Sequence, residues 1–281
     1  LLTNPGKLSD YLEVVGKGKQ LINSSIPLIA VPTTAGTGSE VTRNAVIGIP
    51  EKQIKVSLRS SYLLPRVALI DPELTISLPR GVTASTGMDA LTQLIEPLVT
   101  KKSNWMVDCL CRDGIARIAR ALPSAYKTPS DLIARESMSY ASLLSGLALA
   151  NTGLGAVHGF AGPIGGMFDA PHGAVCAKLL PAVVRMNIDV LKANNFGNEI
   201  LEKYHEIGQL LTGKPTATAL DGVDWLQHLC NHLEIPRLSV YGIKPEHLGL
   251  IVEKATIASS MKGNPVELSR EEMLTILEQS L

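Results

Sequence analysis

The sequence predicts two unlike parts, an α/β segment over residues 1–78 followed by an all-helical segment over residues 79–281. Up to Leu78 the apolar residues fall in short runs bounded by proline and glycine, as strands and turns require. After Pro79 they recur with a 3.6-residue period over long stretches. The α/β segment also reads as incomplete. A doubly wound nucleotide-binding domain needs two βαβ halves, whereas residues 1–78 hold only a few strand-like runs, and no Gly-x-Gly-x-x-Gly or Gly-Gly-Gly-Ser loop occurs anywhere in the chain.

Pro27-Leu-Ile-Ala-Val31 is a continuous apolar run and predicts a strand buried on both faces. It leads into Thr33-Thr-Ala-Gly-Thr-Gly-Ser-Glu40, a loop of small and hydroxylated residues. Asn44–Ile49 and residues 53–58 bracket Pro50-Glu-Lys52 and predict a hairpin, and Arg66-Val-Ala-Leu-Ile-Asp71 a further strand stopped by Pro72. Helices are predicted near 83–99, 104–122, 131–150, 154–167, 173–187, 198–211, 218–233, 245–259 and 270–280. The last opens on a capping box, Ser269 with Glu272.

Charge and composition exclude several functions. Lys plus Arg and Asp plus Glu are both 26, giving zero net charge without a block of one sign, so neither a nucleic-acid footprint nor a polybasic membrane patch is present. Aromatics, at 4%, are too few for a platform that stacks single-stranded bases. Four cysteines without Cys-x-x-Cys spacing read as free thiols of a reducing, cytoplasmic compartment. Ser137–Phe168 lacks any Asp, Glu, Lys or Arg, but Ser139, Ser142, Ser145, Asn151, Thr152, His158, several glycines and Pro163 interrupt it, which favours buried core helices over a membrane span.

Three constellations could carry chemistry. The Thr33–Glu40 loop, directly after a strand, offers backbone N–H groups and hydroxyls to a phosphate or ribose, although many strand-to-helix turns are rich in Gly and Thr for conformational reasons alone. Asp89 and Gln93, four apart with Glu96 close by, share one helix face; the carboxylate either ligates a metal or, the reading favoured for it in isolation, serves the helix dipole. His158 lies in an apolar helix and His172 opens the next one after Pro171. A lone histidine in such a setting is more often a satisfied core residue, but two that converge with Asp89 make a first-row metal site with an open position. His228 and His232, with Asp224 one turn earlier, form a competing pair; they lie on an ordinary amphipathic helix and lack the glutamate of a His-Glu-x-x-His motif.

Taken together, Pro32-Thr-Thr-Ala-Gly-Thr-Gly-Ser-Glu-Val-Thr42, Ala68-Leu-Ile-Asp-Pro-Glu-Leu74, Thr86-Gly-Met-Asp-Ala-Leu91 and His158 with Ala170-Pro-His172-Gly resemble the iron-dependent (group III) alcohol dehydrogenase family in order and spacing, across nearly the whole chain. The resemblance implies an α/β domain that binds NAD or NADP and a helical domain that binds one divalent metal, iron or zinc. It implies Asp89, His158 and His172 as metal ligands. Thr33, Thr34, Thr37 and Ser39 would meet the cofactor's phosphates and nicotinamide side, Lys55 its ribose, and Val82 would pack near the nicotinamide ribose. Asn44 would face the substrate, a small alcohol or its aldehyde or ketone, and the assembly would be a homodimer or higher oligomer.

The chain departs from the family's pattern at three places. Gln93 stands where a second ligand histidine is expected, and a neutral amide holds a first-row cation less well than imidazole. Gly162 stands where a proton-handling histidine is expected. The family's Gly-Gly-Gly-Ser pyrophosphate loop and its neighbouring strands do not occur in these 281 residues. If the chain begins at Leu1, weak NAD(H) binding and self-association through exposed sheet edges are expected. The implied activity is hydride transfer between NAD(P) and an alcohol at a metal. The alternatives are a metal-independent oxo-acid reductase resembling maleylacetate reductase, a lyase of the dehydroquinate synthase type, and a non-catalytic helical fragment.

Overall fold

A computed structural model describes residues 3–52, 54–194 and 198–281. It combines a partial α/β segment with an all-helical body. Four strands occur among the described residues: β1 (Ile29–Ala30), β2 (Asn44–Ile49), β3 (Ile54–Arg59) and β4 (Val67–Ala68). β2 and β3 form the expected antiparallel hairpin, with Asn44 opposite Arg59 and Ile49 opposite Ile54. The predicted second strand began at residue 53, which lies outside the described residues. β1 pairs in parallel with β4, joined by Arg66 N–H donating to the Leu28 carbonyl at 2.8 Å and Leu69 N–H to Ala30 at 2.9 Å.

The expectation that the Pro27–Val31 strand is buried on both faces is wrong. Ile29 is 62% exposed, and Leu28, Val31, Val67 and Leu69 are exposed as well. An apolar run reports that a face wants cover but not what covers it, and among the described residues β1 and β4 pair only with each other. A short helix that the sequence reading did not anticipate, α1 (Leu8–Tyr11), precedes the strands. Tyr11, Leu12 and Leu21 pack with Val56 and Leu58 of β3 into a small core of their own. Asn4 ties this region together, its side-chain oxygen accepting from the N–H groups of Ile22 and Asn23 at 2.9 and 3.0 Å.

The helices that follow are α2 (Arg80–Val99), α3 (Trp105–Lys127), α4 (Leu132–Thr152), α5 (Ala156–Met167), α6 (His172–Ala193), α7 (Asn198–Thr212), α8 (Ala219–His232), α9 (Pro245–Thr256) and α10 (Arg270–Ser280). The predicted ends at 122 and 187 fall short, because α3 runs through Pro123 and α6 continues to Ala193. A proline inside a helix forfeits one backbone hydrogen bond, yet Leu122 and Ala125 flanking Pro123 are fully buried and their packing carries the helix on. The capping box of α10 forms as predicted, with the Glu272 N–H donating to the Ser269 hydroxyl and the Ser269 N–H to the Glu272 carboxylate.

α2 is the axis of the helical body and packs against α3, α4 and α6. Met88, Leu91, Leu94, Ile95 and Leu98 are all but inaccessible; burying each such side chain contributes roughly 1.5–3 kcal/mol. Asp89, Gln93 and Glu96 are buried on the same helix, 2%, 3% and 5% exposed. No single helix among those described is long and apolar enough to cross a membrane, and α4 and α5, which together span the uncharged stretch, meet at 98°.

The loop after β1 is clamped onto α4 by a crossing of two glycines. Gly38 has φ +59°, and a Cβ there would come within 2.5 Å of Gly146 Cα and the Ser142 carbonyl; a Cβ on Gly146 would lie 2.2 Å from the Gly38 carbonyl. Gly162 of α5, by contrast, faces open space. Gly38→Ala is therefore expected to destabilise the protein by roughly 2–4 kcal/mol through left-handed strain and backbone overlap. Gly162→Ala is expected to stabilise it by about 0.5–1 kcal/mol, because alanine fits a helix interior better than glycine. Urea denaturation of both variants checks the pair, and equal effects would contradict the packing described.

Candidate metal centre

Three helices converge on one point. α2 contributes Asp89 from its buried stretch. α6 starts at His172, directly after Pro171, and Gly173 lets its first turn press onto α2: a Cβ there would meet the Ser85 carbonyl at 2.3 Å and Asp89 Cβ at 3.4 Å. α5 brings His158 in its first turn, and that turn is held by Glu96. One Glu96 oxygen accepts the Val157 N–H at 2.7 Å, satisfying an amide that a helix start leaves free. The other lies 2.6 Å from His158 Nδ1. A carboxylate only accepts, so Nδ1 carries the proton and donates it, and Nε2 faces the cluster.

His158 Nε2 lies 3.3 Å and His172 Nε2 3.6 Å from Asp89 Oδ1, and the two imidazole rings are 5.3 Å apart. Cys176, one turn beyond His172, places Sγ 3.7 Å from His172 Nε2 and 3.8 Å from His158 Nε2. One donor atom from each of Asp89, His158, His172 and Cys176 falls within 4.8 Å of the others. Asp89 Oδ1 is buried and receives no directed hydrogen bond. Removing a charged oxygen from water without a partner costs several kcal/mol, and two imidazole nitrogens and a sulfur around it are the donor set of a divalent first-row cation. The residues present fit such an ion.

The charges in the cluster are coupled. Burial works against ionising Asp89, but the close approach of His158 and the charges of His172 and His158 outweigh it and hold the carboxyl below its usual range. Burial also opposes charging His158, yet the sulfur of Cys176 together with Glu96 and Asp89 raises that imidazole well above its ordinary value. His172 is raised as well, by Cys176 first and Asp89 after, against burial and the neighbouring His158. Without a cation the site therefore retains protons that a cation would displace.

Gln93 is in the same cleft, and it turns the amide nitrogen, 3.5 Å from Asp89 Oδ2, toward the carboxylate. Its oxygen lies 3.3 Å from the Ser145 hydroxyl. The same hydroxyl is 2.7 Å from the Ser142 carbonyl and 3.2 Å from the Gly36 carbonyl, so Ser145 stands between the cluster and the loop after β1. In that loop Thr33, Thr37 and Ser39 are exposed and Thr34 is half-buried; a Cβ on Gly36 would touch Thr86, one turn after the half-buried Val82. Lys55 on β3 brings Nζ against Gly165 of α5, where a Cβ would approach it to 3.0 Å. Asn44 is half-buried at the start of β2, and no hydrogen bond among the described residues joins its side chain to the cluster. His228 and His232 are exposed; His228 Nδ1 is 2.7 Å from the Asp224 carbonyl, and His232 meets the Tyr126 ring edge-on.

Glu96, Ser145 and Cys176 were not assigned from sequence. Cys176 had a legible signal, since His172 and Cys176 are four apart on one helix and therefore share a face. Glu96 was noted only as a neighbour of Gln93, and nothing in the spacing tells that it caps α5. Ser145, over fifty residues from Gln93, had no local signal at all.

Two family models match. The iron-containing alcohol dehydrogenase model covers residues 1–72, and the C-terminal model of the Fe-containing alcohol dehydrogenase family covers residues 83–281. Alcohol dehydrogenase 4 of Saccharomyces cerevisiae is 36% identical over 281 residues, which is 100% of this chain and 70% of that protein. The 1,3-propanediol dehydrogenase of Klebsiella pneumoniae is 37% identical over 284 residues, 99% of this chain and 70% of the relative. A crystal structure of 1,3-propanediol oxidoreductase superposes with TM-score 0.90 at 36% identity, covering 100% of this chain and 72% of that one. Sulfoacetaldehyde reductase from Bifidobacterium kashiwanohense, solved with NAD+, superposes with TM-score 0.86 at 28% identity, over 99% and 70% of the two chains. The four collinear motifs, the helical body and both family models agree, and the chain belongs to the iron-containing alcohol dehydrogenase family.

Proposed function

We propose that Asp89, His158 and His172 hold one divalent cation and that the enzyme, an alcohol dehydrogenase by family, moves hydride between NAD(P) and a small alcohol or its aldehyde or ketone. The observation that carries this reading is Asp89 Oδ1, buried without a hydrogen bond between two imidazole Nε2 atoms. A cation there supplies Lewis acidity to the substrate oxygen, and the nicotinamide carries the hydride. Glu96 holds the Nδ1 proton of His158 and so keeps Nε2 available. Thr33, Thr34, Thr37 and Ser39 receive the cofactor, with Val82 and Lys55 on its ribose side. The Ser145 hydroxyl lies between this loop and Gln93, 2.7 Å from the Ser142 carbonyl, 3.2 Å from the Gly36 carbonyl and 3.3 Å from the Gln93 oxygen. Gln93 and Asn44 line the substrate side. The division near Leu78 separates the cofactor-binding part from the metal-binding part. The relatives' alcohol and propanediol activities support a small hydroxylated substrate. A homodimer or larger assembly belongs to the same reading, and four free thiols support a cytoplasmic setting.

Chelator-treated protein is expected to lose NAD(P)-linked alcohol oxidation and regain it with zinc or iron(II). Glu96→Gln, which leaves the Val157 N–H an acceptor but loosens His158, is expected to lower cation affinity by roughly 10–100-fold. Because binding displaces protons from His158 and His172, affinity rises with pH, and calorimetry in buffers of different ionisation enthalpy shows proton release. Full turnover by metal-free protein would contradict the reading and favour the metal-independent oxo-acid reductase, which the amide at Gln93 already suits better than an imidazole would.

At Gly162, one turn after His158, a Cβ would meet nothing within 4 Å. With no side chain there, water is left to carry the alcohol proton. Gly162→His adds a titrating group one turn from His158 and is expected to raise kcat up to ~100-fold. An unchanged kcat and pH profile would place proton transfer elsewhere.

A further inference from the structure

Cys176 is fully buried, but its surroundings are not those of a thiol serving as a small apolar side chain. Its sulfur faces two imidazole nitrogens at 3.7 and 3.8 Å, and it shares one cluster with the unsatisfied Asp89 oxygen. Gln93 does not compete for the position. Its nitrogen is turned to Asp89 at 3.5 Å and its oxygen to Ser145 at 3.3 Å.

We propose that Cys176 is the fourth protein donor to the cation, as a thiolate, and that it biases the site toward zinc over iron(II). The inference rests on the metal reading above and deepens it. Binding forms a metal–sulfur bond and sends the thiol proton to solvent. One carboxylate and one thiolate then balance the charge of a divalent ion inside a low-dielectric core, where an unbalanced charge would be costly. Sulfur is the softest donor present, and thiolate with imidazole is the set that borderline-soft zinc favours, whereas iron(II) binds a given nitrogen–sulfur site less tightly than zinc. Of the four side chains only His172 reaches solvent, with 38% of its side chain exposed against 5% for His158 and 3% for Asp89. Substrate therefore approaches a fifth position from the His172 side, an expansion that catalytic zinc accepts.

Cobalt(II) gives a readout independent of turnover, because cobalt–thiolate coordination produces an intense near-ultraviolet charge-transfer band and any cobalt site produces visible d–d bands. Cys109 is exposed and could bind cobalt adventitiously, so Cys109→Ser is the background protein. Cys111 and Cys230 lie elsewhere in the core, where burial pushes both thiols up to about 12. Cobalt titration of the background protein is expected to raise both sets of bands together, to saturation at one equivalent. Adding Cys176→Ser should abolish the charge-transfer band, keep d–d bands, lower cobalt and zinc affinity by on the order of 100-fold and lower iron(II) affinity less. Saturating d–d bands without a charge-transfer band would overturn the thiolate assignment while leaving the metal centre standing. A band that survives Cys176→Ser would overturn it too. No cobalt binding at all would remove the metal reading and this inference with it.

Discussion

A carboxylate in the middle of a helix that is buried on nearly every side has to be answered by something. Asp89 stands among Met88, Ala90 and Leu91, all at or near zero exposure, and one of its oxygens has no hydrogen bond. The energy of that arrangement is supplied by the body around it. α2 packs on α3, α4 and α6, and the hydrophobic burial along α2 far exceeds the several kcal/mol that one uncompensated oxygen costs. The core thus holds a charged atom where water cannot reach it, which is the condition under which a cation binds strongly.

The geometry around that oxygen depends on residues that never touch it. Glu96 spends one oxygen on the first turn of α5 and the other on His158, so a single side chain both starts the helix and sets the ring's protonation. Gly155 admits it, since a Cβ there would stand 3.0 Å from the Glu96 oxygen. Gly173 does the same for α6 against α2. Small residues at these contacts decide how near the donors come, and the Gly38–Gly146 crossing decides how near the loop after β1 comes to them. The Ser145 hydroxyl is where these two adjustments meet.

The helical body was legible because its signals are local. Apolar periodicity placed α2 to α10, and the Ser269–Glu272 box fixed the start of the last helix. The histidine–aspartate constellation was legible as residue types and by resemblance, and the structure brings the three side chains together. Helix ends differ from expectation at Pro123, where tertiary packing outweighs a proline, and beyond Asn187, where buried Ile188, Val190 and Leu191 carry the helix on. The strand burial expected at Leu28–Val31 failed because apolar content does not name a neighbour. Disulfide and Cys-x-x-Cys spacings say nothing of Cys176, because its partner is a histidine one turn back, a different pattern. Ser145 and α1 act through contacts distant in sequence, which no local pattern encodes.

Whether the Asp89 carboxylate, His158 and His172 surround a cation is tested most directly by anomalous scattering at the zinc and iron edges from metal-replete crystals. One strong peak within coordinating distance of Asp89 Oδ1 and the two Nε2 atoms is the predicted result. A cluster without a peak, or a peak between His228 and His232 instead, would contradict it.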